Sequence, residues 1–321
     1  MQTPLSDVCN PGFVVTWTER DVPDQSGRVA LITGANGGLG FENARALAAK
    51  NARVIMAVRD LDKAATARRE IEESHPGAEL DVRELDLASL DSIHAFADRI
   101  IDEYDRLDIL INNAGVMAIP ERKTPDGFEM QFGTNHLGHY ALTGRLLPLL
   151  VKTPGSRVVA VTSTARHFGR PVDPANPNLD GNYDRWRAYG QSKLANVHFA
   201  LGLEQRLRSA RAPTASLVAH PGLSRTDLQV NTAREGGGSM WATLARRFGM
   251  RPPEGALPQL RAATDPQASG GQLYAPRWVN FGPPVRRPLM GRSRNRRSID
   301  TLFSVSESAT GLDLDVAGAT G

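Results

Sequence analysis

Cysteine is almost missing from this 321-residue chain: Cys9 is the only one. No disulfide can close within the chain, and no cysteine-built metal cluster can form. That composition fits a reducing compartment. Charge of one sign is also scarce. The 38 Lys and Arg nearly balance the 35 Asp and Glu, leaving a net charge of +3. The excess is partly local, with six arginines between Arg286 and Arg297. No aromatic residue interleaves with them, so a solvated surface segment is expected there rather than a nucleic-acid site. No stretch approaches the ~18 apolar residues of a membrane span. The N-terminus lacks a basic region followed by an apolar core, so no secretory signal is read. These absences predict a cytoplasmic protein with no membrane span and no nucleic-acid partner.

What is present is ordinary for a soluble globular chain, at 40% hydrophobic and 23% charged residues. The length suits one large α/β domain or two small ones. Residues 1–26 carry turn formers and no clear period, and read as a loosely packed leader that Trp17 anchors. Arg28 to Thr33 is a short β-branched run that suits a buried strand. It enters Thr33-Gly34-Ala35-Asn36-Gly37-Gly38-Leu39-Gly40, and a helix follows from about Leu39 to Lys50. Strand, glycine-rich turn and helix form a phosphate-binding unit: the glycines let the backbone approach a pyrophosphate, and the helix N-terminus offers free N–H groups.

A second strand, Arg53 to Val58, ends where NAD-binding folds place an acid for the ribose 2′-OH. Here that place holds Val58, and Arg59 follows. An arginine suits a 2′-phosphate, so NADP(H) is preferred and NAD(H) is the alternative. Asp60 could still reach a ribose, or cap the helix Leu61 to Glu73. Further strands at Glu79–Leu85 and Leu107–Ile111 flank a helix at Ser89–Tyr104. This alternation means βαβ units and a parallel sheet, with ligand sites at the strand C-termini. Thr214–His220 reads as a sixth strand and Gly270–Ala275 as a seventh, at the edge. A last amphipathic helix spans about Ser298 to Ala309. No internal repeat is present.

Tyr189 and Lys193 are four apart at the start of a helical run from Ala188 to Leu207, so they share a face. Leu194, Val197, His198, Ala200, Leu201 and Leu203 give the run one buried side. A neighbouring cation favours a phenolate and lowers its pKa, which makes the pair a plausible general acid/base. A solvated helix face is the bland alternative.

Seven motifs in order resemble the short-chain dehydrogenase/reductase family, over Arg28 to about Thr226. They are TGxxxGxG from Thr33 to Gly40, Asp86-Leu87, Asn112-Asn113-Ala114-Gly115, Asn135, Ser163, Tyr189 with Lys193, and Pro221-Gly222 with Thr226. Three stretches resemble the retinol-dehydrogenase-like and WW-domain-oxidoreductase-like branch and its bacterial relatives: Ala57 to Asp60, Phe132 to His139, and Arg185 to Lys193. The resemblance implies roles. Thr33, Gly34, Asn36, Gly38, Leu39 and Gly40 would form the coenzyme turn, and Asp86 with Leu87 would meet the adenine. Asn112 to Gly115 would steady the central sheet. Asn135 would hold a relay water, and Ser163 would bond the substrate oxygen. Tyr189 would be the acid/base, and Lys193 would hold the ribose and lower the tyrosine pKa. Pro221 and Gly222 would lie under the nicotinamide, and Thr226 would contact its carboxamide. Two departures stand out: the usual Ser-Ser pair reads Thr162-Ser163, and the stretch from Ser163 to Tyr189 is unusually long. Pro171, Pro174, Pro177 and Gly181 make it an irregular surface loop, of the kind that can border a substrate mouth.

His136, His139, His167 and His220 lack metal-ligand spacing and read as structural, so no metal site is expected. No G-x-S-x-G turn surrounds Ser163, which argues against a nucleophile. The fold expected is α/β, a doubly wound Rossmann fold of about seven parallel strands with helices on both faces. The domain would span 27–278, with residues 279–321 as a C-terminal extension and a substrate lid at about 223–250. Met240, Trp241, Leu244 and Phe248 would line that lid, which points to a medium or large apolar alcohol, aldehyde or ketone as substrate. The protein would be a monomer or homo-oligomer. The expected function is NADP(H)-dependent hydride transfer between an alcohol and a carbonyl. The alternative is a cofactor-binding sensor or scaffold without turnover.

Overall fold

The computed structural model describes residues 16–225, 247 and 249–320. Strands and helices alternate from the start: β1 Val29–Thr33, α1 Gly38–Ala48, β2 Arg53–Val58, α2 Leu61–Ser74, β3 Leu80–Glu84, α3 Leu90–Glu103 and β4 Ile109–Asn112. A helical turn at Met130–Phe132 and a π-turn at Gly133–Leu137 lead into α4, Gly138–Lys152. Then come β5 Arg157–Val161, α5 Arg185–Ser209, β6 Ala215–Ala219, α6 Pro252–Thr264, β7 Leu273–Pro276, β8 Pro284–Arg287 and α7 Arg296–Thr310.

The strands form one sheet in the order β3-β2-β1-β4-β5-β6-β7-β8. All pairings are parallel except β7 with β8. The order reverses between β1 and β4, so a crevice opens there beyond the strand C-termini. The strands are apolar because both faces are covered. Successive residues of β1 point opposite ways: Val29 and Leu31 join the layer under α3, α4, α5 and α7, and Ala30 and Ile32 join the layer under α1, α2 and α6.

Three expectations need correction. Among the described residues the seven expected strands run parallel, but an eighth, antiparallel β8, takes the sheet edge expected of β7. Pro284 and two arginines hid that strand, and both are residue types that suit an exposed edge. Residues 16–25 are not loose: Trp17 and Val22 are buried, Arg45 pairs with Glu19, and the Gln25 amide donates to Lys50 O at 2.7 Å. Trp17 anchors this stretch as expected. Finally, α5 is buried on every side from Ala188 to Ala200, not on one. Its outer side is covered by α7, whose Phe303 lies so close that a Cβ on Gly202 would sit 2.2 Å from the ring. The candidate lid residues Met240, Trp241, Leu244 and Phe248, with Thr226, lie outside the described residues.

Candidate active site

The turn after β1 is fixed by side-chain bonds to its neighbour β4. Thr33 Oγ1 accepts the Asn113 and Ala114 amides at 2.9 and 3.0 Å, and Asn113 Nδ2 donates to Thr33 O at 2.9 Å. Gly40 packs against the same turn, where a Cβ would sit 2.1 Å from Gly34 O. Any side chain there would push α1 off the turn. The α1 N-terminus therefore stays aimed into the crevice, where its free N–H groups favour an anion.

A cavity of about 750 Å³ runs along this crevice. Gly34, Asn36, Gly38, Leu39, Arg59, Asp86, Leu87, Asn113, Ala114, Gly115, Ser163, Tyr189, Lys193, Pro221 and Gly222 all line it. Predicted residues from seven separate segments thus meet in one space. Thr33 and Gly40 do not line it; they hold the turn from behind. Asn135 does not line it either.

At the β2 end, Asp60 is already engaged. Its side chain caps α2 by accepting the Lys63 amide at 3.0 Å, and it pairs with Lys63 Nζ at 3.2 Å. Arg59 is exposed to the cavity and makes no ion pair among the described residues. Lys63 also lines this end. Its position one turn into α2 carries no motif, so the sequence reading missed it.

At the other end, Ser163 follows β5, and its hydroxyl bonds both the Ala165 amide, at 3.2 Å, and the Tyr189 side chain. Thr162 Oγ1 donates to Lys193 O at 2.7 Å, which ties β5 to α5. Lys193 Nζ lies 5.7 Å from the Tyr189 ring centroid. Both side chains are buried, at 4% and 5% exposure. The bland reading of a solvated face therefore fails. Nor is the net pKa of Tyr189 lowered in the protein by itself. Burial penalises phenolate and ammonium alike: it pushes the Tyr189 phenol up to about 12 and Lys193 down to about 8, with the Ser163 bond pulling the phenol back only in part.

Asn135 sits in the π-turn, a distortion common at functional sites. Its Nδ2 donates to Val116 O and to Ser192 Oγ, both at 2.9 Å, and its Oδ1 accepts the Val116 amide at 2.8 Å. Gly115 lets it approach, since a Cβ there would sit 2.8 Å from Asn135 Oδ1. His139 lies between Asn135 and the coenzyme turn. Its Nδ1 is 3.0 Å from Asn135 O and its Nε2 is 2.9 Å from Thr33 Oγ1. A carbonyl only accepts, so Nδ1 carries the proton. Thr33 then donates its hydroxyl to Nε2. Burial pushes His139 down to about 4, so the ring is neutral. This supports its reading as a hydrogen-bonded structural histidine.

The apolar end of the cavity is formed by Met117, Ala165, Phe168 and Trp186, which sequence reasoning missed, with Leu223 from the start of the expected lid. Trp186 meets the Tyr189 ring edge-on, with centroids 6.2 Å apart. Phe168 and Trp186 flank the long loop, whose one legible signal was its length. That loop is pinned by Gln191 Nε2 to Pro177 O and by Tyr183 Oη to Ile119 O, both at 2.9 Å. Arg166 was missed as well: it is buried, and its Nη1 donates to Ser163 O at 3.1 Å.

The family model described as short chain dehydrogenase matches residues 28–236. The chain belongs to that family. Human retinol dehydrogenase 14 is 38% identical over 303 residues, covering 89% of this chain and 87% of that protein. Human retinol dehydrogenase 12 is 38% identical over 289 residues, with the same two coverages. Among solved structures, an uncharacterised protein from Mycobacterium paratuberculosis superposes with a TM-score of 0.78 at 39% identity, covering 93% of this chain and 99% of that one. A short chain dehydrogenase from Pseudomonas syringae shares the fold, with a TM-score of 0.64 at 23% identity over 82% and 98% of the two chains. This short-chain dehydrogenase lies in the retinol-dehydrogenase-like branch. It is an oxidoreductase that acts on CH–OH and C=O groups with a nicotinamide cofactor.

Proposed function

We propose that the protein transfers a hydride between NADP(H) and a medium or large apolar alcohol or carbonyl. The observation that carries this reading is the single cavity with Arg59 and Lys63 at one end, Ser163, Tyr189 and Lys193 in the middle, and an apolar wall beyond them. The residues fit the cofactor. The turn at Gly34–Leu39 and the α1 N-terminus suit a pyrophosphate, Asp86 an adenine amino group, and Pro221–Gly222 the nicotinamide end, with Thr226 next along the chain. Arg59 and Lys63 offer two cations for a 2′-phosphate, and Asp60 is occupied as a helix cap. When bound, NADP(H) supplies the hydride.

The chain's own residues do the rest. Ser163 Oγ donates a hydrogen bond to the substrate oxygen and places it beside Tyr189 Oη. Tyr189 holds or accepts the proton at that oxygen. Near pH 7 its raised pKa keeps the phenol protonated, which suits carbonyl reduction. Lys193 stays mostly charged at pH 7 with a pKa of about 8, and its field favours the phenolate once the proton has left. Asn135, locked by Val116, Ser192 and His139, would position a water for proton return. The apolar wall of Met117, Phe168, Trp186 and Leu223 favours an apolar substrate body. The relatives named retinol dehydrogenases are consistent with such a substrate. The test is NADPH oxidation against a panel of apolar aldehydes and ketones, with NADPH binding measured alongside. Turnover of the panel supports the reading. Tight NADPH binding with no turnover of any member would favour a cofactor-binding sensor instead.

A further inference from the structure

Gln131 is wholly buried, in the middle of the helical turn that precedes the π-turn. It does not line the active-site cavity. Its side-chain amide nevertheless joins three segments around the apolar end of that cavity. Oε1 accepts the Ala118 amide at 2.7 Å, and Nε2 donates to Tyr183 Oη and to Arg185 O, both at 2.9 Å. Both N–H groups and the oxygen are thus engaged. The Tyr183 hydroxyl extends the link by donating to Ile119 O at 2.9 Å. Burial pushes the Tyr183 phenol up, so it keeps that proton. From the other side, the Glu129 carboxylate accepts the Gln131 and Phe132 amides at 2.9 and 2.7 Å, which fixes the backbone that carries Gln131.

Ala118 is the strained member of this set. It stands at φ 47°, in the left-handed region, and is fully buried. A residue with a Cβ enters that region at a cost and stays there only where its surroundings hold it. Gln131 holds its amide, and Tyr183 holds the carbonyl of the next residue. Ala118 also belongs to a small apolar cluster with Met117, Ala165 and Tyr189, against which Trp186 packs. That cluster shares no residue with the two large layers on the faces of the sheet. Its placement therefore depends on local bonds more than on the main core. A strained residue beside the proposed proton donor, held by a fully engaged buried amide, points to a wall that is placed and not merely packed.

We propose that Gln131 is a positioning residue that sets the shape of the cavity's apolar end, and with it the length of apolar substrate that fits. It acts through Ala118 on the neighbouring Met117 and through Arg185 on the neighbouring Trp186, and both of these line the cavity. The role rests on the apolar substrate proposed above. It makes a distinctive demand on kinetics. Loosening the wall weakens the binding of a substrate that reaches it and leaves a shorter substrate alone. Binding lost equally in the ground and transition states appears in KM and not in kcat.

The experiment compares the wild type with Gln131→Leu, which removes all three side-chain bonds, and with Tyr183→Phe, which removes one hydroxyl and carries the test if the first variant does not fold. NADPH-dependent reduction of propanal and of decanal is measured, since the two differ only in the length of the apolar body. NADPH binding and melting temperature are measured alongside. Amide exchange at Ala118 is read with no substrate present, against the β4 amides as a control. Each variant is expected to raise KM for decanal at least ~fivefold, with KM for propanal, both kcat values and the NADPH dissociation constant within a factor of about two. Ala118 exchange should quicken at least ~tenfold while the β4 amides keep their protection. An unchanged ratio of the two KM values would overturn the proposal, as would an equal loss toward both aldehydes. A lower melting temperature with neither change would leave Gln131 as a stabilising residue only. Wild-type exchange at Ala118 would overturn the positioning role whatever the substrate. If the wild type reduces neither aldehyde, the substrate reading fails alone, and the exchange at Ala118 still decides whether Gln131 holds the wall.

Discussion

His139 is bonded to Thr33 through Nε2, at 2.9 Å, while its Nδ1 holds the Asn135 carbonyl at 3.0 Å. One neutral, buried ring thus joins the coenzyme turn to the π-turn behind the catalytic pair. His139→Phe would keep the volume and strand two polar groups, the Thr33 hydroxyl and the Asn135 carbonyl. Leaving buried groups unpaired costs about 1–3 kcal/mol each, so a clear fall in melting temperature is expected, with weaker NADPH binding as Thr33 loses its partner. Unchanged stability and unchanged NADPH affinity would show that the ring merely fills space.

Arg59→Ala should weaken NADPH by about 1.5–3 kcal/mol, the scale of a hydrogen bond to a charged group, and leave NADH nearly unaffected. Titrating both cofactors against the variant checks this. Equal losses would remove Arg59 from the 2′-phosphate site.

Lys193 carries a charge in a buried place, and the sign of its effect on stability follows. Its pKa in the folded protein is about 8, below the ordinary 10.5. Keeping it charged therefore destabilises the protein below pH 8. That cost fades as pH rises from 8 to 10.5, because the folded protein releases the proton first. Lys193→Met should raise stability by on the order of 2–3 kcal/mol at pH 7, with the gap closing toward pH 10.5, while turnover is lost. Melting curves across that pH range decide it; a variant less stable at pH 7 would contradict the account.

Phe168 lines the cavity yet is 55% exposed, so its removal should cost little stability. Phe168→Ala is expected to raise KM for apolar carbonyls up to about tenfold, the scale of one lost apolar contact, with NADPH affinity unchanged. An unaltered KM would move the substrate to another part of the cavity.

The parts of this fold that the sequence made legible are those where local chemistry decides the outcome. The β1 turn is written in glycines, and Tyr189 and Lys193 share a face by spacing alone. Helix α6 was not legible, because Pro252, Pro253 and Pro258 disguise it. Two of these prolines sit in its first turn, where the amide has no partner to lose. The complete burial of α5 was hidden because it depends on α7, which lies more than 90 residues later. The pKa of Tyr189 was misjudged for the same reason: the spacing shows the cation but not the desolvation. The apolar wall came from loop residues that follow no period, so only the assembled chain brings Met117, Phe168 and Trp186 together.

The central claim is that Tyr189 supplies the proton in an NADPH-linked carbonyl reduction, and Tyr189→Phe tests it most directly. The ring keeps its packing against Trp186 and loses only the hydroxyl. Turnover of a carbonyl that the wild type reduces should fall by at least ~10²-fold, the usual scale of general acid/base work, while the NADPH dissociation constant stays within a factor of about two or three. Near-normal turnover in that variant would contradict the account.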